Sequence, residues 1–226
     1  MRIRRNLATL LAAAAMLATS ALTTGAAGAS AAAPAAPVHT PLNECSAAYY
    51  HDDARLGPRQ LPVLGPVGAE LLGYHRSGSL TDAQLLAKYY SPTANNGQPG
   101  WIYPPANGYV IAPDGKPLET TQTLKPGQDI DRYGSEYGTF LAPAGLSYGS
   151  RSIPPSSLVS TPAASCNYHD YRVVKAFTVD AGPIAPWFGQ PGYGWQFQLD
   201  PALVSGAPTT QFNVGWLVAN GYLDRI

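Results

Sequence analysis

Two amides, two arginines and a run of uncharged aromatics are the parts of this chain that could do chemistry. Gln196 and Gln198 stand two apart in Trp195-Gln-Phe-Gln-Leu199, so a strand puts both amides on one face and the apolar side chains on the other. An amide donates and accepts without carrying charge, which suits it to orienting a hydroxyl or a water. Arg132 ends a short alternating stretch, Asp129 to Tyr133, and a guanidinium there can grip phosphate oxygens in pairs. An ion pair with Asp129, Asp131 or Glu136 is the competing use of that charge. Arg151, before Ser152-Ile153-Pro154-Pro155, is a second candidate, and His169 opens the strand around Val173 and Val174.

The segment from Ala181 to Leu199 holds two Trp, two Phe, one Tyr, four Gly and three Pro without a charged residue. Rigid, aromatic and uncharged, it suits the wall of a pocket for a flat ring, and it equally suits a core plug. Trp187 and Phe188 are open to both readings, as are Tyr133 and Phe140. No Gly-rich phosphate loop and no His/Cys cluster with metal spacing occurs, so neither a nucleotide loop nor a metal centre is expected. The four Glu, at 44, 70, 119 and 136, all precede the glutamine strand. A glycosidase would need two carboxyl groups facing one cleft, one with a raised pKa, and most acids here lie beside turns or basic residues.

Elements must bring these residues together. Residues 1–31, with Arg2, Arg4 and Arg5 ahead of an apolar run and then small residues, read as a secretory signal peptide. Residues 32–40 read as an Ala/Pro spacer, and no later run approaches a membrane span. Loss of the three leader arginines leaves 11 basic against 14 acidic residues, a net charge of −3, which argues against nucleic acid as a partner. Cys45 and Cys166, alone in an exported chain, are expected to form one disulfide closing a loop of about 120 residues; a Cys nucleophile three residues before His169 is the rival reading. Residues 41–100 read as an accessory segment. In it Thr81 and Gln84 make a capping box for a helix carrying Leu85, Leu86, Tyr89 and Tyr90, stopped by Ser91-Pro92 and followed by a loop. Residues 101–226 read as a β-rich domain. Tyr103 to Tyr109 is a turn leading to a strand around Tyr109 to Ala112, Tyr168 to Phe177 a single strand, and Phe212 to Val218 a helix closed by Asn220-Gly221.

From about Trp101 onward the chain resembles the TNT-type NAD glycohydrolases, the tuberculosis necrotizing toxin domain and its relatives, including the secreted surface NADases of fungi. The stretches that carry the resemblance are Asp131-Arg-Tyr-Gly134, Phe140-Leu-Ala-Pro-Ala-Gly145, Arg151-Ser-Ile-Pro-Pro155, Gly182 to Gly192 with Gln196-Phe197, and Gly221-Tyr-Leu223. The resemblance implies hydrolysis of NAD to ADP-ribose and nicotinamide, with NAD as substrate and no cofactor. NADP as a further substrate and an immunity or inhibitor protein as a partner stay open under it. It also implies an α+β, ADP-ribosyltransferase-like fold, a β-rich core of two packed sheets. By the same resemblance Gln196 and Arg132 are the central residues, with His169 in support and Tyr133, Phe140 and Arg151 against the substrate. Tyr193 and Trp195 replace small residues in the family's approach to the glutamine, which bears on pocket size. The alternatives are a catalytically degenerate binding module of the same fold and an ADP-ribosyltransferase. The latter often relies on a Glu for which this sequence has no counterpart near Gln196.

Overall fold

The computed structural model describes residues 40–226, so the expected signal peptide and all but the last residue of the spacer lie outside the described residues. These residues make one compact unit. Among them no helix is long and apolar enough to cross a membrane.

A hairpin of β1 (Tyr90–Asn95) and β2 (Gln98–Trp101) precedes the seven strands that dominate: β3 (Thr120–Leu124), β4 (Asp129–Tyr133), β5 (Phe140–Pro143), β6 (Tyr168–Val173), β7 (Phe177–Pro183), β8 (Trp195–Gln198) and β9 (Leu223–Arg225). They pair antiparallel in the order β3-β7-β8-β5-β4-β6-β9. The β-rich α+β class holds, but the two expected sheets are two arms of one curled sheet, continuous because β5 pairs with both β8 and β4. Both arms face one core. Leu124, Val179, Phe197 and Leu141 from one side meet Ile130, Tyr171, Val173 and Leu223 from the other, and the short helix Val214–Ala219 closes it with Val214 and Leu217.

Three local readings change. The Thr81 capping box forms as expected and starts the helix Asp82–Tyr89, with Gln84 Oε1 accepting from the Thr81 N–H at 2.9 Å. Tyr90, however, leaves the helix and begins a strand (Tyr90–Asn95) that pairs with Gln98–Trp101 where a loop was expected. Asn96 and Gly97 supply the two left-handed residues that a tight hairpin turn needs. The single strand foreseen from Tyr168 to Phe177 is two, β6 and β7, which turn at Val174 to Ala176 and end up on different arms of the sheet. The turn at Tyr103 to Tyr109 leads into isolated bridges, Tyr109 to Ile184 and Ile111 to Pro117, rather than a ladder.

The accessory segment packs onto the sheet through two apolar clusters. One holds the Cys45–Cys166 disulfide with Val67, Leu71, Tyr133, Tyr148 and Leu158. The other sets Leu56, Leu85 and Tyr89 around Phe188.

Candidate active site

Strands β4 and β5 are paired only at Ile130 with Pro143 and Asp131 with Ala142. Beyond that point they splay, and a cavity of about 500 Å³ opens in the fork. Its wall includes Arg132, Tyr133 and Gly134 from one prong and Phe140, Leu141 and Ala142 from the other. Gln196 lies across from them, and Tyr103, Pro104, Asn107 and Gly108 form the rim. The size falls within the range of small-ligand sites.

Alternation decides what reaches the cavity. Phe197 and Leu199 point into the core, so Gln196 projects from the opposite face. Its Nε2 donates to the Asn107 carbonyl at 2.9 Å. Gln198 shares that face but sits opposite Phe140, outside the cavity lining, with its Oε1 buried and unpartnered. Of the two amides, the structure brings Gln196 to the cavity. Trp195, expected to anchor the strand with Phe197 and Leu199, is partly exposed instead and donates to Gln122 Oε1 at 3.3 Å. Tyr193 is 70% exposed, and neither it nor Trp195 narrows the cavity.

Arg132 lies where the strands have separated, and its guanidinium spans the fork. Nε donates to the Ser135 carbonyl and Nη1 to the Phe140 carbonyl, both at 2.7 Å. The three acids that could have neutralised it are taken. Asp129 pairs with Arg172, Asp131 with Arg151 and Glu136 with Arg225. Among the described residues no carboxylate lies within ion-pair distance of Arg132. Burial without such a partner lowers its pKa from the usual arginine range, but a guanidinium stays charged at neutral pH. A cation held by neutral carbonyls beside an open cavity is arranged to receive an anion from outside. Tyr133 and Phe140 reach the cavity wall as the sequence suggested.

Four other candidates are engaged mainly with the rest of the protein. Arg151 touches the cavity wall, but most of its guanidinium is engaged within the protein: Nη1 donates to Asp131, Nη2 to Glu70 at 2.9 Å and to Asp131 at 2.8 Å, and Nε to the Leu146 carbonyl at 3.1 Å. It joins the accessory segment to β4, with one Nη1 N–H left without a protein acceptor. His169 is paired in register with Arg132 and stacks on Tyr171, outside the lining of the cavity that holds Gln196. It lines a second cavity with Glu136, Tyr137 and Arg225. Burial lowers its pKa, partly offset by Glu136. Trp187 and Phe188 do not line the cavity either. Phe188 is fully buried against Tyr89 and Trp101, and the Trp187 indole donates to the Ile102 carbonyl. They fasten the accessory helix, which is the plug rather than the wall.

Sequence reasoning missed Glu70 and the Tyr103 to Gly108 rim. Glu70, at the end of the helix Gly65–Glu70, accepts from Tyr133 Oη and from Arg151, both at 2.9 Å. Burial first, and the neighbouring Asp131 with it, push its pKa up to about 7 despite the Arg151 charge. Its contacts lie 63 and 81 residues away, so no local pattern announces it. The rim had a signal, Pro104-Pro105 followed by Asn107-Gly108, which reads as a turn and not as a site.

Fold and cavity define a small-ligand site suited to an anionic, ring-bearing molecule. The family described as tuberculosis necrotizing toxin (TNT) matches residues 123–226. The chain is 45% identical over 179 residues to the conidial surface nicotinamide adenine dinucleotide glycohydrolase nadA of Aspergillus fumigatus, covering 79% of this chain and 71% of that protein. The chain belongs to this TNT-type family. Among solved structures it is similar to tuberculosis necrotizing toxin complexed with its immunity factor IFT, at 22% identity and a TM-score of 0.48 over 64% of this chain and 71% of that one. It is also similar to Rhs1-CT in complex with its cognate immunity protein RhsI1, at 17% identity and a TM-score of 0.29 over 48% and 76%.

Proposed function

We propose that this protein is a secreted NAD glycohydrolase that hydrolyses the nicotinamide–ribose bond of NAD. The observation that carries the reading is Arg132, a carboxylate-free guanidinium, lining the same cavity as the Gln196 amide. It is supported by the family and by the 45% identical NAD glycohydrolase.

In this reading Arg132 grips the diphosphate, and Tyr133, Phe140 and Tyr103 hold the flat rings. The bond from ribose C1′ to the nicotinamide nitrogen breaks with its electron pair going to that nitrogen. The leaving group departs neutral and needs no general acid, unlike that of an ordinary glycoside. Water oxygen then bonds to C1′ and its proton passes to solvent. Gln196 orients a ribose hydroxyl or that water and faces the developing positive charge with its carbonyl oxygen. The carboxylates nearest the cavity, Asp131 and Glu70, are both engaged by Arg151, which speaks against the two-carboxylate mechanism. An inhibitor protein is expected only if the enzyme meets NAD inside the producing cell.

Purified protein incubated with NAD is expected to release nicotinamide and free ADP-ribose, and NADP in a parallel reaction reports whether the 2′-phosphate is tolerated. No nicotinamide release at micromolar enzyme overturns the enzyme reading in favour of a binding module. ADP-ribose appearing on added protein assigns a transferase instead.

A further inference from the structure

The turn at the cavity rim carries an unusual backbone. Ala106, Asn107 and Gly108 have φ of 49°, 53° and 83°, three successive residues in the left-handed region. Only glycine adopts it freely, asparagine tolerates it and alanine is strained there. The strain is maintained because the turn is tied down at its far end. The Gly108 carbonyl accepts from Ala185 N–H at 2.8 Å, and Val110 N–H donates to the Pro183 carbonyl at 2.9 Å. What the conformation achieves is the direction of one group, the Asn107 main-chain carbonyl, which receives Gln196 Nε2 at 2.9 Å.

A carbonyl oxygen can only accept. The Gln196 amide must therefore turn its NH2 to Asn107 and leave Oε1 for the cavity. The strand beside it is held tightly: Gly182, the cross-strand partner of Gln196, leaves no room for a side chain, since a Cβ there would lie 2.2 Å from the Leu118 carbonyl oxygen and 3.0 Å from Tyr109 Cδ1.

We propose that Asn107 is a positioning residue: its main-chain carbonyl, aimed by the left-handed turn, fixes the Gln196 amide so that the acceptor oxygen and not the donor faces the substrate. This deepens the glycohydrolase reading and rests on it. It also assigns part of the working site to residues upstream of the 123–226 family match. An acceptor in that position takes a hydrogen bond from a ribose hydroxyl or the attacking water. A donor there would repel a developing cation.

Two variants test it. In Asn107→Val the branched side chain cannot hold the left-handed turn, so the carbonyl swings away. In Asn107→Gly the turn persists and only the side chain is lost. The valine variant is expected to lose kcat by about 100-fold with KM within about threefold, the size of effect a misplaced catalytic group produces. The glycine variant is expected to recover kcat to within about threefold of the parent. Independently of activity, the Gln196 side-chain NH2 signals in a 15N spectrum should move and exchange faster with water in Asn107→Val but not in Asn107→Gly. If Asn107→Val does not fold, Asn107→Gly decides alone, since loss of kcat there assigns the effect to the side chain and overturns the proposal. Unchanged kcat and unchanged Gln196 signals in a folded Asn107→Val also overturn it. A parent protein without glycohydrolase activity refutes the function, while the amide spectra still report whether Asn107 orients Gln196.

Discussion

Removing Arg132 should cost substrate affinity and little stability. Two of the five guanidinium N–H donors are engaged by the Ser135 and Phe140 carbonyls, which leaves three without a protein acceptor. If two of these meet a diphosphate, each charge-assisted bond is worth about 1.5–3 kcal/mol, so Arg132→Ala should lose about 3 kcal/mol, roughly 100-fold in KM. Arg132→Lys keeps the charge but cannot hold both carbonyls and reach a ligand, so it should fall between, near tenfold. The fold pays little, because no carboxylate is orphaned and the freed carbonyls sit beside an open cavity where water can reach them. The melting temperature should move by no more than about 2–4 °C. The assay is nicotinamide release as a function of NAD concentration, paired with calorimetric titration of ADP-ribose. Unchanged affinity together with a large fall in melting temperature would show that Arg132 merely pins the loop after β4.

The same guanidinium can be displaced without touching it. A Cβ at Gly138 would lie 1.8 Å from Arg132 Nη2, and no positive φ is at stake there, so Gly138→Ala should raise KM about tenfold with the fold intact; an unchanged KM contradicts the placement of Arg132. Glu70 binds its proton more tightly folded, at about 7 against the ordinary 4.5, so its stabilising contribution is complete below about 4.5 and is lost as pH rises through about 7. That amounts to about 3 kcal/mol. Urea midpoints at about pH 5 and about pH 8 should therefore differ less in Glu70→Gln than in the parent, and equal differences would refute the assignment. Replacing both Cys45 and Cys166 by Ser opens a loop spanning 121 residues and should cost about 4 kcal/mol in denaturant unfolding; an unshifted midpoint would contradict this.

The parts legible in the sequence are those that short-range patterns determine. Alternation in Trp195 to Leu199 separates Gln196 from the core face, and the Thr81 box starts its helix. Arg132 could be placed at a strand end, but its freedom from a salt bridge depends on which other arginines claim Asp129, Asp131 and Glu136. The ion-pair cluster that holds Arg151 was illegible for the complementary reason, since its partner Glu70 is brought in by a distant helix. Trp187 and Phe188 looked like pocket wall because an aromatic's type does not say which surface it meets. Here it is the accessory helix. The hairpin at Asn96-Gly97 was hidden by the apolar spacing of Leu85 to Tyr90, which continues a helical pattern past the point where the chain turns into a strand. His169 shares the sheet face of its cross-strand partner Arg132, but its ring lines the second cavity with Glu136 and Arg225 rather than the one that holds Gln196, a placement that no local pattern announces.

The central claim is that Gln196 acts on NAD while Gln198, two residues on, does not. The most direct measurement is nicotinamide release by Gln196→Ala and Gln198→Ala, each checked for melting temperature and ADP-ribose binding. The account predicts a kcat loss of at least about 100-fold in Gln196→Ala with folding and binding retained, and a change of no more than a few-fold in Gln198→Ala. Parent-level turnover by Gln196→Ala would contradict it.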